Sequence, residues 1–343
     1  MPKRVKNLVG LDIEPAGISA VEVRVNGQIT VERAATAPLE DGIVRDGEIT
    51  DTEALAEALR GLYREHKGLG KRVRVGVANQ KIVVRPIEVP PVSSASELDA
   101  AVRFHAQEQL PMPLDQAVLD YQPLRSAEGQ PQRVLLVAAR REMIEHLLTA
   151  VRAAGLRPEG IDLSAFAMVR ALYRPSPEDE LVLYMSVSGL VNLAIASGRD
   201  CLFTRASGRG LEALAIELAE RSQLTLEHAR SWLTHVGVET PLESIDGDPE
   251  IVGAARQVLL EGARRIAADV RSSLDFYAMQ GGAASVSRAI LTGSAASVPG
   301  LASALASELS LPVEVGTVTG APDNVDAGRI TVAAGLAVSE AQS

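Results

Sequence analysis

Cysteine, tryptophan and long apolar runs are scarce in this 343-residue chain. Cys201 is its only cysteine, so no intramolecular disulfide can form, which is typical of a reducing cytosol. No segment approaches the roughly 18 consecutive apolar residues that span a bilayer. The basic start at residues 1–6 is not followed by the apolar region of a signal peptide. We therefore expect a protein that reaches a membrane only through another molecule.

Positive charge is also in the minority, because 34 Lys and Arg residues stand against 44 Asp and Glu residues, for a net charge of -10. This balance argues against binding to a nucleic-acid backbone. The chain has no G-x-S-x-G nucleophile motif and no Walker A lysine motif. Its five histidines show no metal-ligand spacing with cysteine: His66, His105, His146, His228 and His235. The segment 208–213 fits G-x-G-x-x-A, but no βαβ unit follows it, which disfavours a dinucleotide site.

The order of strand-like and helix-like segments predicts an α/β protein of about two domains. In the first half, strands are predicted over 5–13, 18–25, 28–37, 73–78 and 83–89, and a helix capped by Asp51 runs to about His66. An inserted α/β subdomain is predicted over 93–163, with helices over 93–109 and 141–154 and strands over 118–124, 133–139 and 156–163. A further helix is predicted over 164–173.

After a proline-containing linker at 175–177, the second half resembles the first in layout, as an internal duplication would. Strands are predicted over 181–186, 191–196, 201–206, 288–291 and 313–315, and helices over 211–219, 226–235, 249–278, 299–309 and 330–338.

Several dispersed motifs occur in a recognisable order: Gly10–Ile13, Arg45–Ile49, Gln109–Asp115 with Leu119–Tyr121, Ser273–Tyr277 with Gln280–Gly282, and Leu291–Ser294 leading into Val298–Leu301. With them the chain resembles, over essentially its whole length, the PilM family of type IV pilus assembly proteins, which are actin-like and related to the cell-division protein FtsA. The resemblance implies an actin-like two-lobed fold with duplicated β-meander and helix units and an FtsA-type inserted small α/β subdomain. The expected divisions are a first lobe over 1–92, the insert over 93–163, a return and linker over 164–180, a second lobe over 181–315 with a helical part at about 211–262, and a C-terminal return over 316–343.

The resemblance also implies a cytoplasmic protein, peripheral to the inner membrane, that binds the N-terminal tail of a PilN-like membrane protein. In the family this tail lies in a groove beside the insert, which here implies walls at about 73–89 and 101–114. The candidate partner-binding residues are Val83, Val84, Phe104, Leu110, Pro111, Met112 and Pro113. The proline segment 110–114 is interpreted either as a helix stop or as the edge of this groove.

ATP and Mg²⁺ are the cofactors that an actin-like fold implies, held between two β-hairpins that each carry a carboxylate near the metal. Asp12 fills the first carboxylate position and is the candidate metal residue. Glu14 and Pro15 replace the small turn residues, and Met185 and Val187 stand where the second acid and a glycine belong. The candidate nucleotide-binding residues are Asp12, Gly208, Gly210, Arg271, Ser273, Gly293 and Ser294.

The replacements argue against hydrolysis and weaken the case for ATP binding, so we expect a docking scaffold with a degenerate site. The alternative is a weakly hydrolysing actin-like ATPase, or a small-molecule kinase, whose nucleotide state controls assembly. A filament-forming protein of the FtsA type is a third hypothesis, which the lack of a basic amphipathic segment at the end of the chain disfavours.

Overall fold

The computed structural model describes residues 8–92, 94–124, 130–175, 180–208, 210–279 and 285–338. Several predicted features lie outside these ranges: the strand start at Val5, the helix start at Ser93, linker positions 176–177, Arg209 and the motif residues 280–282.

The strands are β1 (Val9–Glu14), β2 (Gly17–Asn26), β3 (Gln28–Pro38), β4 (Val44–Arg45), β5 (Glu48–Ile49), β6 (Arg72–Val77), β7 (Val83–Val89), β8 (Ala117–Pro123), β9 (Gln132–Arg140), β10 (Arg157–Leu163), β11 (Leu181–Val187), β12 (Val191–Ser197), β13 (Asp200–Ser207), β14 (Val286–Thr292) and β15 (Val313–Val315). The helices are α1 (Thr52–Glu65), α2 (Ala95–Gln109), α3 (Arg141–Ala153), α4 (Ser164–Leu172), α5 (Leu211–Ser222), α6 (Leu226–Val236), α7 (Pro249–Met279), α8 (Leu301–Leu309) and α9 (Thr331–Leu336).

The first lobe is built on a five-stranded sheet in the order β10-β6-β1-β2-β3. β1, β2 and β3 form an antiparallel meander, whereas β6 and β10 run parallel to β1. Helix α1 covers one face of the sheet with Leu55, Leu59 and Leu62, which are all buried. It begins at Asp51, whose carboxylate accepts the backbone N–H groups of the first turn. The predicted meander and the predicted cap are therefore present.

The second lobe repeats this arrangement in the order β13-β12-β11-β14-β15. Its first three strands again form an antiparallel meander, and β14 and β15 again run parallel to the hairpin strand. Helices α5, α6, α7 and α8 cover one face and share one apolar core with the sheet. The duplication that the sequence indicated thus appears as two sheets of the same topology.

A small sheet in the order β7-β9-β8 stands beside the first lobe, with α2 packed on one face. The predicted insert boundaries at 93 and 163 do not coincide with the limits of this sheet. Strand β7 was predicted to precede the insert, but it belongs to this sheet. Strand β10 was predicted to lie in the insert, but it pairs with β6 of the first lobe. Helix α3 also packs into the first-lobe core. We call this three-stranded unit with α2 the insert sheet. β4 and β5 form a two-stranded hairpin around the Arg45–Ile49 motif.

Two helices, α4 and α9, cross between the lobes with their backbones in contact. A Cβ atom added at Gly335 would lie 1.8 Å from the carbonyl oxygen of Ala167, and one added at Gly10 would lie 1.8 Å from that of Ala333. Only glycine permits these approaches, which join the first sheet, α9 and α4 into one unit. In the described ranges, none of the helices combines the length and apolar character that a bilayer crossing requires.

Candidate functional site

The turns of two matching hairpins face each other across the cleft between the lobes. The β1–β2 turn carries Glu14 and Pro15, and the β11–β12 turn carries Ser188 and Gly189. A Cβ atom added at Gly189 would lie 2.5 Å from Cδ of Pro15, so the proline ring is packed directly against the glycine. In this protein the two turns touch at the position where the resemblance placed a nucleotide's phosphates.

Asp12 lies at the base of this cleft, as the sequence predicted. It is buried, and the Ser164 hydroxyl donates a hydrogen bond to its Oδ1 at 3.5 Å. Burial raises the pKa of Asp12 to about 6, although the Ser164 hydrogen bond and the positive charge of Arg329 act in the opposite direction. Sequence reasoning did not single out Ser164 or Arg329, because each reaches Asp12 from a distant part of the chain.

Glu14 occupies the space between the two turns. The residue is partly buried, and its carboxyl lies near the Ser188 side chain and the Gly189 backbone of the second turn. Desolvation is the main cause that raises the pKa of Glu14 to about 8, and the nearby Asp12 carboxylate raises it further. The carboxyl is therefore mostly protonated at neutral pH.

One cavity between the turns is small, whereas a separate cavity of about 270 Å³ is lined by Pro15, Asp46, Gly189, Gly208 and Glu212. The cavity lined by Asp12, Glu14, Pro15, Ser186 and Asn192 measures about 40 Å³, whereas small-molecule and cofactor sites usually measure about 300 to 1,000 Å³. This volume admits about one water molecule rather than a chain of phosphates.

The second hairpin supplies no carboxylate to a metal site. Met185 and Val187 are fully buried in the core of the second lobe, where the sequence analysis expected an acid and a glycine in a working site. Across the described ranges, no group of three or more His, Cys, Asp or Glu side chains is arranged to hold a metal ion. The strand of the second hairpin that faces Asp12 thus carries a thioether and a β-branched side chain, both turned into the core.

The predicted Gly293–Ser294 turn lies against the same hairpin. The Ser294 backbone N–H donates to Ser188 Oγ at 2.9 Å, and Gly293, with φ 82°, approaches too closely for a side chain. Gly293 also donates its N–H to the carbonyl oxygen of Gly328 at 3.2 Å. These two N–H groups therefore already have partners within the protein.

Gly208 and Gly210 are also brought to the cleft. A Cβ atom at Gly210 would lie 2.3 Å from the carbonyl oxygen of Ser188, and one at Gly208 would lie 3.0 Å from Oδ1 of Asp46. At the start of α5, the Glu212 N–H donates to the Ser188 carbonyl oxygen at 3.3 Å. The hairpin thus takes the place that an anion would occupy at this helix N-terminus.

Arg271 and Ser273 make other contacts. The Arg271 guanidinium donates to the backbone carbonyl of Glu308 at the end of α8. Ser273 is buried, where it donates to the Asp269 carbonyl oxygen at 2.8 Å and accepts from Arg205 at 3.2 Å. Both contacts tie α7 to its neighbours within the second lobe.

A larger cavity of about 370 Å³ lies between the insert sheet and the first lobe. Its lining is mainly apolar, with contributions from β8, β9, β10 and α4: Val77, Ile82, Val118, Tyr121, Val137, Ala139, Ile144, Ile161, Leu163 and Phe166, with Asp120, Gln122, Pro123 and Asp162. We call this cavity the insert groove. Strand β8 forms one wall and lies at the edge of its sheet.

The predicted partner-binding residues divide between the two faces of the insert sheet. Val84 lines a neighbouring cavity that shares Val77 and Ile82 with the insert groove. Phe104 is 65% exposed on α2, and Leu110 packs into the core beneath α2, on the other face of the sheet. The remaining members of the prediction are Val83, which precedes Val84 in β7, and the segment Pro111–Pro113, which follows Leu110. The insert groove is lined by residues of β8, β9, β10 and α4 and by Val77 and Ile82 from the predicted wall at 73–89, and none of the residues 101–114 lines it.

Comparison with known proteins agrees with this architecture. The family described as Type IV pilus assembly protein PilM matches residues 10–319. Among solved structures, the chain is similar to the PilM-PilN type IV pilus biogenesis complex, with 26% identity, a TM-score of 0.79 and coverage of 97% of this chain and 98% of that one.

Two more distant likenesses concern the fold alone. The ethanolamine utilization protein EutJ from Carboxydothermus hydrogenoformans has 16% identity and a TM-score of 0.55, with 96% of this chain and 88% of that one covered. MreB5 of Spiroplasma citri bound to ADP has 12% identity and a TM-score of 0.54, with 96% and 95% covered. The fold is thus the actin-like two-lobed fold, and the chain belongs to the family of the type IV pilus assembly protein PilM.

Proposed function

We propose that this protein is a docking scaffold of type IV pilus or related secretion assembly, which binds the cytoplasmic tail of a PilN-like inner-membrane protein in the insert groove. The observation that carries the proposal is an apolar groove of about 370 Å³ beside an edge strand, in a chain similar over 97% of its length to a protein of the PilM-PilN complex. The protein would then be cytoplasmic and held at the inner membrane through this partner.

The groove suits an extended peptide. An edge strand offers backbone groups to an added strand, and alternate side chains of that strand enter pockets on one face. Along β8, Val118, Asp120 and Gln122 line the groove, whereas Leu119 packs into the core beneath α2; Tyr121 contributes to both. A peptide beside β8 would therefore bury apolar side chains against Val118, Ile161 and Phe166.

An acidic side chain in the groove favours a tail that carries a basic residue. Asp120 and Asp162 both line the groove, but Asp162 is paired with Arg170. The Asp120 carboxylate accepts only the neighbouring N–H of Tyr121, at 2.8 Å, among the hydrogen bonds of the described residues. Cytoplasmic tails of membrane proteins are enriched in Lys and Arg. We expect a basic residue of the tail to lie beside Asp120.

The nucleotide site is part of the same proposal. Contact between the hairpin turns, the small cavity and the burial of Met185 support a degenerate site that neither hydrolyses ATP nor needs it for docking. Calorimetric titration with Mg-ATP tests the alternative of a nucleotide-controlled ATPase. Saturable heat that disappears in Asp12→Ala would favour that alternative.

Docking is tested by titrating the protein with a fluorescent peptide of the PilN-like tail from the same genome. Val118→Glu places a charge in the groove and should weaken binding about tenfold or more. Phe104→Glu is the matched control, because Phe104 lies on the α2 face, and it should leave the affinity unchanged. The reverse pattern would move the docking site to the α2 face and contradict the proposal.

A further inference from the structure

A second cavity, of about 560 Å³, borders the insert groove. Gln122, near the end of β8, and Phe166 on α4 line both spaces, which therefore meet at these residues. The other walls come mainly from the β2–β3 hairpin of the first lobe, the end of α4 and the β12–β13 turn of the second lobe. We call this space the arginine cavity, after Arg170, Arg174 and Arg199, which line it. A peptide that lies beside β8 and extends past Gln122 would enter it.

Cationic side chains dominate the charged lining of this cavity, although the chain as a whole carries a net charge of -10. Asp200 is the one carboxylate among the described residues that line it. Arg170 is neutralised by its ion pair with Asp162. Within the described part of the chain, Arg174 and Arg199 form no ion pair; their contacts are with backbone carbonyls and with an aromatic ring. A negatively charged group of a ligand would complement these two cations.

Both guanidinium groups are held in place by their neighbours. Arg174 Nη1 donates to the carbonyl oxygens of Ala171 and Tyr173, at 3.2 and 2.9 Å, where α4 ends. Arg199 Cζ lies 5.4 Å from the centre of the Tyr173 ring, within the range of a cation–π contact. A guanidinium that is positioned in this way keeps N–H donors for a further acceptor, and a carboxylate matches its planar geometry.

We propose that the tail docked in the insert groove continues past Gln122 and places an acidic residue in the arginine cavity, where Arg174 and Arg199 bind it. This contact rests on the proposed docking function and adds a second recognition element to it. The groove offers the carboxylate of Asp120, whereas the cavity offers two cations. The tail should therefore carry a basic and an acidic residue at separate positions. Because Arg199 belongs to the second lobe, a tail bound in this way would contact both lobes.

Titration with the fluorescent peptide of the PilN-like tail from the same genome tests this contact. Arg174→Glu combined with Arg199→Glu reverses both charges and should weaken binding about tenfold or more. Arg221→Glu combined with Arg264→Glu is the matched control, because it makes the same change in net charge at exposed positions of α5 and α7. This control should bind the peptide as the wild type does. An equal loss in both double variants would mean that net charge alone is responsible and would overturn the proposal.

Changes in the peptide identify the residue that enters the cavity. When each acidic residue of the peptide is replaced by its amide in turn, one replacement should weaken binding to the wild-type protein several-fold. The same peptide should lose much less affinity for the variant with Arg174→Glu and Arg199→Glu, because the ion pair is already absent there. Added salt should likewise weaken binding to the wild type more than binding to this variant. Full affinity of every amide peptide, or a tail without an acidic residue, would overturn the proposal.

Val118→Glu separates this contact from the docking function. If Val118→Glu weakens binding and the variant with Arg174→Glu and Arg199→Glu matches the wild type, the tail docks in the groove without using the cavity, and the proposal is wrong. If only the arginine variant weakens binding, the tail does not run through the groove, and the continuation from one space to the other is contradicted. Unchanged affinity in both would place docking elsewhere and contradict both proposals.

Discussion

Arg230 on α6 lies 3.2 Å from Asp41 on the first lobe, measured from Nη2 to Oδ1, and bridges the mouth of the cleft. The same guanidinium donates to both carboxylate oxygens of Glu212 on α5. A residue of the helical part of the second lobe thus connects both sides of the opening, above the contact between Pro15 and Gly189.

The ion pair of Arg230 with Asp41 should contribute less to stability than its ion pair with Glu212. Asp41 is 63% exposed, so Asp41→Ala should lower the free energy of unfolding by less than about 1 kcal/mol. The Glu212 side chain is only 12% exposed. Arg230→Met leaves this carboxylate without its cation and should cost about 2 kcal/mol. Urea denaturation of both variants measures the difference, and equal losses would contradict the assignment.

Stability should fall as the pH rises through the neutral range. The pKa values of Asp12 and Glu14 are raised in the folded protein, from 3.8 to about 6 and from 4.5 to about 8. The folded state therefore binds more protons than the unfolded state, and the stabilisation is complete below about pH 4 and is lost by about pH 8.

One pKa unit corresponds to about 1.4 kcal/mol, so the two shifts together correspond to at most about 8 kcal/mol, and we expect a decrease of several kcal/mol across this window. Denaturation at several pH values should show it, and Glu14→Gln should flatten the upper part of the curve. An equally steep decrease in Glu14→Gln would show that another group is responsible. Glu40→Gln serves as the surface control.

Cys201 should be unreactive in the native state. It is 2% exposed, and burial raises the pKa of its thiol to about 12, so little thiolate is present at neutral pH. Because it is the only cysteine, its reaction with a thiol reagent reports one site. Labelling should be slow in buffer and fast in urea. Fast labelling of the native protein would contradict the packing of β13.

The crossing of α4 and α9 should not tolerate a methyl group. Gly335→Ala places a Cβ atom 1.8 Å from the Ala167 carbonyl oxygen and should destabilise the protein by about 2 kcal/mol or more. Gly253 on α7 is a matched control, because a Cβ atom there meets nothing within 4 Å. Gly253→Ala should stabilise the protein by about 0.5 to 1 kcal/mol, since alanine favours the helix. Thermal denaturation of the two variants should therefore shift in opposite directions.

Local patterns predicted most of the secondary structure. The cap at Asp51 and the bounds of β7 follow from nearby residues, because capping and strand propensity act within a few positions. The sheet that a strand joins depends on distant partners. Nothing within 156–163 distinguishes an edge strand of the first sheet from a strand of the insert, so β10 was assigned to the wrong unit.

In the candidate site, too, residues within one hairpin were predicted from sequence, whereas contacts between the lobes were not. Asp12 and the unusual Glu14–Pro15 turn were recognisable, because the family pattern is local to one hairpin. The meeting of Pro15 with Gly189, and the link from Arg230 to Asp41, depend on how the lobes close. The insert groove and the segment 101–114 lie on different faces of the insert sheet, and sequence does not show which of these faces turns toward the first lobe.

The attachment of the insert sheet has a mechanical consequence. The chain leaves the first lobe at the end of β6, and β6 is hydrogen-bonded on one side to β1 and on the other to β10. A membrane-anchored partner that pulled on the insert would load this strand along its length. Such a force has to shear two ladders of hydrogen bonds together, whereas an edge strand would peel away one bond at a time. On the entry side, tension is thus shared across the first sheet, whereas the return side runs through α3 into the edge strand β10.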